Sequence, residues 1–264
     1  MRKQASNEIS LVVLIGDGLR HQHFLFELNS KHRISAVFIE QSKYPQPIAK
    51  TENEKDAWTW FFERRKTFEH QTITPTLNIK TLNNPDVFHV KKNGLNSLKT
   101  LTRLKEISPD FIACFGTGIL NERILSKYPD CIFNLHIGIP RYYRGSSCNF
   151  WPIYNNDLKN LGATVHLVEK GIDTGKVTGE KTITLESNDN EQILMWKTLE
   201  VGTQLMNETI DKWKKSTLKF TKQAQTGKLY KKNDFGPAAI LKVKNMVESG
   251  ELKSLIQLNL SKDA

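Results

Sequence analysis

The sequence predicts an α/β fold, a doubly wound and mostly parallel sheet followed by a small, mainly helical C-terminal extension. Short β-branched apolar runs alternate with longer charged, amphipathic stretches, as in right-handed strand–helix–strand crossovers. The first run is closed by two glycines, as expected of a buried parallel strand that ends in a tight turn. With 38% hydrophobic and 25% charged residues, and only 15 Gly and 9 Pro in 264 residues, disordered, collagen-like and low-complexity chains are excluded.

The elements follow in order. Residues 9–18, ISLVVLIGDG, read as the first strand and its turn, with a helix over 20–30. Strand ISAVFIE (34–40), helix KDAWTWFFERRKTF (55–68), strand DVFHV (86–90) and helix LNSLKTLTRLKEI (95–107) continue the alternation. Ser108-Pro109-Asp110 ends that last helix, because Pro cannot continue it. Strand FIACFG (111–116), a helix over 121–128, strand CIFNLHIG (131–138), a helix near 149–155 and strands over 163–169 and 176–185 complete the sheet. A long helix over 189–215 carries Ile193, Leu194, Trp196, Leu199, Leu205, Met206, Ile210 and Trp213 broadly on one side. A strand at 227–230 and a helix near 237–248 follow. The predicted division is a sheet domain over 1–188 and a helical extension over 189–264 packed on the sheet.

Net charge is +10, from 38 Lys and Arg against 28 Asp and Glu, which favours an anionic partner. Nucleic acid, a polyanionic cofactor and a phosphorylated substrate all qualify. The densest basic run, IDKWKKSTLKF, reads as a solvated helix end. Cys114, Cys131 and Cys148 are too few and too scattered for a disulfide framework and lack zinc-site spacing, so reduced thiols are expected. No apolar run reaches the ~18 residues of a membrane span, and MRKQASNEIS lacks a signal-peptide core. The expectation is a cytoplasmic protein without a membrane partner.

Two places could carry chemistry. GDGLRHQH follows the first strand but has His21 where a dinucleotide fingerprint needs a third small residue. The helix start with Gly18, Arg20 and His21 either holds an anion through backbone N–H groups or is a tight turn with a polar cap. Asn134 and His136 stand two apart on a strand and leave the same face. Flanked by Ile132, Phe133, Leu135 and Ile137, such a pair is costly to bury without partners. A single His of this kind would be read as a hydrogen-bonded core residue.

Its company changes that reading. Asn134-Leu135-His136, Tyr143-Arg144-Gly145, Thr164-Val165-His166 and Asp173-Thr174-Gly175 occur in this order, preceded by SPDFIACFGTGIL. Together they resemble the formyltransferase family that uses 10-formyltetrahydrofolate. The resemblance is good over residues 108–185, and over the first hundred residues lies only in element order. It implies a Rossmann-like formyltransferase fold, with the catalytic domain over 1–188, 10-formyltetrahydrofolate as co-substrate and no metal. It implies that His136 and Asn134 donate to a developing oxyanion and that Asp173 manages the proton through an ordered water. The implied folate pocket is built from Phe115, Gly116, Ile119, Leu120, Leu167, Val168 and Gly171. The chain departs from the family at Ile137-Gly138-Ile139-Pro140-Arg141, where the Pro stands one place early, and at Gly118, where members acting on glycinamide ribonucleotide carry Arg.

For the acceptor, YRGSSCNFWPIYN resembles sugar N-formyltransferases, which formylate amino sugars carried on nucleotides for surface polysaccharide. The transfer-RNA members carry a further β-barrel, whereas residues 189–264 read as helical. The expected acceptor is a small anionic amine touching Gly18, Arg20, His21, Arg144, Gly145 and Trp151, with Phe150 and Tyr154 either beside it or in the core. A homodimer is left open. Two other readings stay open: a hydrolase releasing formate from 10-formyltetrahydrofolate, and a basic nucleic-acid-binding module, which would leave Asn134, His136 and Asp173 unexplained.

Overall fold

The computed structural model describes residues 8–41, 47–74, 84–224 and 227–262. Strands β1 (Leu11–Gly16), β2 (Ala36–Glu40), β3 (Asp86–Val90), β4 (Phe111–Phe115) and β5 (Ile132–His136) pair in parallel. Strand β6 (Tyr143–Gly145) lies outside this sheet, and β7 (Gly162–Leu167) and β8 (Val177–Thr182) extend it antiparallel. The order is β3-β2-β1-β4-β5-β7-β8, the mostly parallel doubly wound sheet that the alternation predicts. Strand β9 (Lys228–Tyr230) pairs in parallel with β6. Strand direction is not written in side-chain periodicity, so the reversal of β7 and β8 was not legible. It matters, because it sets His166 opposite Asn134 and Thr164 opposite His136.

Helix α1 (Leu19–Asn29) follows β1, and α2 (Glu52–Ile73) runs longer than predicted because the Thr51 side chain caps its first turn by accepting the Glu54 N–H. The helix expected over 95–107 divides into a 3₁₀ turn (Gly94–Asn96) and α3 (Leu98–Ile107), which Ser97 caps. The helix expected over 121–128 is one turn, α4 (Glu122–Leu125), and α5 (Trp151–Tyr154) is as short. Helices α6 (Glu191–Lys214), α7 (Pro237–Glu248) and α8 (Glu251–Leu260) complete the described chain. Neither β6 nor α8 was predicted as an element. Among the described residues, no helix is long and apolar enough to cross a membrane.

Alternate strand residues feed two cores. On one face Val13, Ile15, Phe133, Leu135 and Val165 pack with Phe24 and Leu28 of α1 and Met206 and Ile210 of α6. On the other Leu14, Phe38, Ile112 and Ile132 pack with Leu101 and Leu104 of α3 and Ile124. A third core gathers Phe61, Phe150, Trp151, Tyr230, Phe235 and Ile240. Helix α7 lies on α2, α5 and α8, so of the C-terminal helices it is α6 that rests on the sheet. Helix α7 covers the aromatic side of α2. Helix α6 comes close because Gly202 has no side chain: a Cβ there would stand 2.4 Å from Leu135 Cδ1. Strand β5, bearing Asn134 and His136, is thereby backed by a helix.

Candidate active site

The site begins with the spacing on β5. Asn134 and His136 share a face, and antiparallel β7 brings His166 beside Asn134, with Asn134 Nδ2 3.3 Å from His166 Nε2. The loop after β7 then supplies Asp173, whose φ of +52° lies in the left-handed region, which Asp and Asn enter more readily than most other residues with a side chain. Its Oδ2 accepts the Gly145 N–H at 2.8 Å and stands 3.4 Å from His136 Nδ1, while Oδ1 stands 3.4 Å from His166 Nε2. Gly145 is itself in the left-handed region (φ +92°), and a Cβ there would meet the Tyr230 carbonyl oxygen at 2.2 Å. One carboxylate therefore sits between two buried imidazoles from neighbouring strands.

The hydrogen-bond partners assign the protons. His166 Nδ1 lies 2.7 Å from Leu167 O and donates to it, so Nε2 accepts from Asn134 when the ring is neutral and donates to Asp173 Oδ1, 3.4 Å away, when it carries a second proton. His136 Nε2 lies 3.0 Å from Tyr143 O and donates to it. The other nitrogen of His136, Nδ1, then presents a lone pair to Asp173. A neutral imidazole satisfies only one of these two acceptors, whereas a second proton would satisfy both at the cost of a buried cation. Burial pushes the His136 pKa down and outweighs the Asp173 carboxylate, which raises it. Burial also acts on Asp173, raising its pKa, but His136, His166 and the Gly145 N–H together hold it below the usual carboxylate range. The cluster thus keeps an ionised carboxylate beside a histidine with room for one more proton.

The loop 116–121 lies beyond the carboxyl end of β4 and is pinned from outside. Glu40 at the end of β2 accepts the Gly118 N–H at 2.7 Å, and Asn96 both donates to Ile119 O (2.9 Å) and accepts the Asn121 N–H (2.8 Å). On that fixed loop Ile119 is 72% exposed, whereas Leu120, Phe115 and Leu167 are buried and Val168 is half-buried. Gly116 has φ +69°, and the His21 ring fills the space a side chain would need. Gly171, at φ +122°, opens the turn that carries Asp173.

The residues expected at the acceptor are not all brought together. His21 is buried, its Nδ1 accepts the Gly18 N–H at 3.1 Å, and burial pushes its pKa down to about 3. His21 thus caps the start of α1 through the Gly18 N–H. Arg20 stands 3.8 Å from Glu69 on α2. Trp151 is buried, stacks on Tyr230 with ring centroids 4.2 Å apart, and donates its indole N–H to Ser146 O. Arg144 donates to Gly227 O and Ile172 O, tying strands to the Asp173 loop. Sequence reasoning missed the placement of His166 beside Asp173, although Thr-x-His repeats the spacing of Asn-x-His. It also missed Glu40, Asn96 and Gln223, for which no local signal exists.

Residues 10–210 match the model of a protein family described as formyl transferase. The methionyl-tRNA formyltransferase of Thermodesulfovibrio yellowstonii is 33% identical over 130 residues, 49% of this chain and 41% of that protein. The matching stretch thus spans about two fifths of the curated relative's length. Among solved structures, phosphoribosylglycinamide formyltransferase from Anaplasma phagocytophilum superposes with a TM-score of 0.58 at 16% identity, covering 85% of this chain and 98% of that one. An N-formyltransferase from Helicobacter canadensis, solved with folinic acid and dTDP-3-aminofucose, gives 0.55 at 16% identity, covering 88% and 78%. At such identities the likeness is one of fold.

Proposed function

Because this chain belongs to the formyl transferase family, we propose that it moves a formyl group from 10-formyltetrahydrofolate to a primary amine, and that the amine is on a nucleotide-linked sugar. The observation that carries this reading is the convergence of Asn134, His136 and Asp173, with His166 closing the cluster. Attack by an amine on a formyl carbon builds negative charge on oxygen and leaves a proton to be moved. His136 exchanges the Tyr143 carbonyl for that oxygen and donates its Nε2–H. Asn134 adds a second N–H from the same face, held in orientation by His166. Asp173, ionised at rest, relays the proton, by a water or through the open Nδ1 of His136, from the attacking nitrogen to the departing nitrogen of the folate as the bond between that nitrogen and the formyl carbon breaks.

The residues present fit a folate. A flat heterocycle needs apolar cover and main-chain partners, and the fixed loop 116–121 offers Ile119 to its face with Leu120 and Val168 beside it. When bound, the folate supplies the formyl group. The acceptor reading is supported by the net charge of +10, by the YRGSSCNFWPIYN segment and by the fold neighbour solved with dTDP-3-aminofucose. The curated relative named for methionyl-tRNA favours a second acceptor, methionyl-tRNA.

Mass spectrometry decides between them. The protein is incubated with 10-formyltetrahydrofolate and, separately, amino-sugar nucleotides, methionyl-tRNA and glycinamide ribonucleotide. Gain of one formyl group on an amino-sugar nucleotide is the expected result. Formylation of methionyl-tRNA or glycinamide ribonucleotide alone overturns the sugar and keeps the transfer. Formate release without any formylated amine makes the protein a hydrolase.

A further inference from the structure

The segment after α6 belongs to the Lys-rich C-terminal part of the chain, yet it runs along the site. Thr221 and Val177 exchange N–H···O bonds of 2.8 Å at the start of β8. Two residues on, Gln223 turns its side-chain amide to the Asp173 loop, and Nε2 donates to Asp173 O at 3.0 Å and to Gly175 O at 2.8 Å. Further along, the Gly227 N–H donates to Pro140 O (2.8 Å), the Lys228 N–H to Tyr142 O (3.1 Å), and β9 pairs with β6. Strand β6 supplies two backbone groups that meet the cluster, Tyr143 O to His136 and the Gly145 N–H to Asp173.

The chemistry of the amide makes Gln223 specific. Two carbonyl oxygens face it, so only its NH₂ end can point there, and both N–H bonds are used. Its Oε1 is buried and has no partner among the described residues. An orphaned amide oxygen is costly to bury. A fold tolerates such a cost where the group fixes a geometry. What it holds is the peptide stretch carrying Asp173 in its left-handed conformation, which local sequence does not enforce.

We propose that Gln223 is a positioning residue: by gripping the carbonyls of Asp173 and Gly175 it fixes the backbone from which the Asp173 carboxylate reaches between His136 and His166. The C-terminal segment is thereby a working part of the active site. The inference rests on the reading of Asp173 given above, and its test separates the two.

Steady-state formyl transfer is measured for wild type, Gln223→Met, Asp173→Asn and the double variant, with thermal melting as a check on folding. Gln223→Met keeps the length of the side chain and removes both donors. It should lower kcat by about ten- to a hundred-fold, the loss expected from displacing a reacting group by about 1 Å, while KM for donor and acceptor changes less than about two-fold. Gln223→Glu, which sets a carboxylate against two carbonyl oxygens, should lose at least as much. In the Asp173→Asn background, Gln223→Met should cost less than about two-fold further, because both changes act through one carboxylate. The inference is overturned if Gln223→Met keeps the wild-type kcat while Asp173→Asn loses it, or if Gln223→Met costs the same factor in both backgrounds. Wild-type rates in Asp173→Asn would instead overturn the reading of Asp173, and the inference with it.

Discussion

His136 is held by two acceptors, Tyr143 O and Asp173 Oδ2, and in its neutral form can serve one of them. That unmet demand is what suits it to chemistry, since the same ring can give a hydrogen bond to an oxyanion and accept a proton at its other nitrogen. Asn134 has a narrower task, because one of its N–H bonds is spent on His166. His136→Ala and Asn134→Ala should therefore bind 10-formyltetrahydrofolate as wild type does and transfer about 100- to 1000-fold more slowly, the usual cost of one oxyanion donor. Equilibrium binding combined with single-turnover rates checks this. A near-normal rate in His136→Ala would remove it from the chemistry.

At the scale of elements, strands were the most legible part of the sequence. Runs such as LVVLIG and FIACF are β-branched or aromatic, buried on both faces and closed by Gly, so propensity and burial agree. Asn134 and His136 were legible because period two on a strand fixes a shared face. The direction of β7, the strand β6 and the grip of Gln223 were not, since each is decided by contacts between segments far apart in sequence. Trp151 shows the converse: an aromatic beside Arg144-Gly145 suggested a ligand contact, yet stacking on Tyr230 places it in the third core. That core is joined to α6 through Glu191, 0% exposed, which accepts from Arg64 Nε (2.5 Å) and Nη2 (3.0 Å). Arg64→Ala strands a buried carboxylate and should destabilise by about 3 kcal/mol, with the helix start of α6 offsetting part of it. Urea denaturation measures the change, and a loss within about 0.5 kcal/mol, as at an ordinary surface site, would contradict it.

For the whole molecule, acid is a specific weakness. Burial is the largest influence pushing down the pKa of His21, His23, His32 and His136. Below pH 6.5 the unfolded chain binds protons that the folded chain refuses, so stability is full above that value and falls as pH drops. For His21, lowered from 6.5 to about 3, the loss runs down to the lower value, at up to about 1.4 kcal/mol per pH unit. The melting temperature should drop between pH 7 and pH 5, and His21→Gln should make that drop shallower. An unchanged melting temperature over this range would mean that these rings are not held neutral.

The charge of the whole chain bears on the acceptor. A nucleotide diphosphate gripped by charge-assisted hydrogen bonds loses affinity with salt, so added salt should raise the acceptor's KM more than it lowers kcat. Steady-state kinetics at two ionic strengths would show it.

The most direct measurement follows the formyl group itself. With carbon-13-labelled 10-formyltetrahydrofolate and an amino-sugar nucleotide, wild type should place the label on the amine, and Asp173→Asn should do so far more slowly with folate binding retained. Label released as formate whether or not an amine is present, or passed to the amine equally fast by Asp173→Asn, would contradict transfer by this cluster.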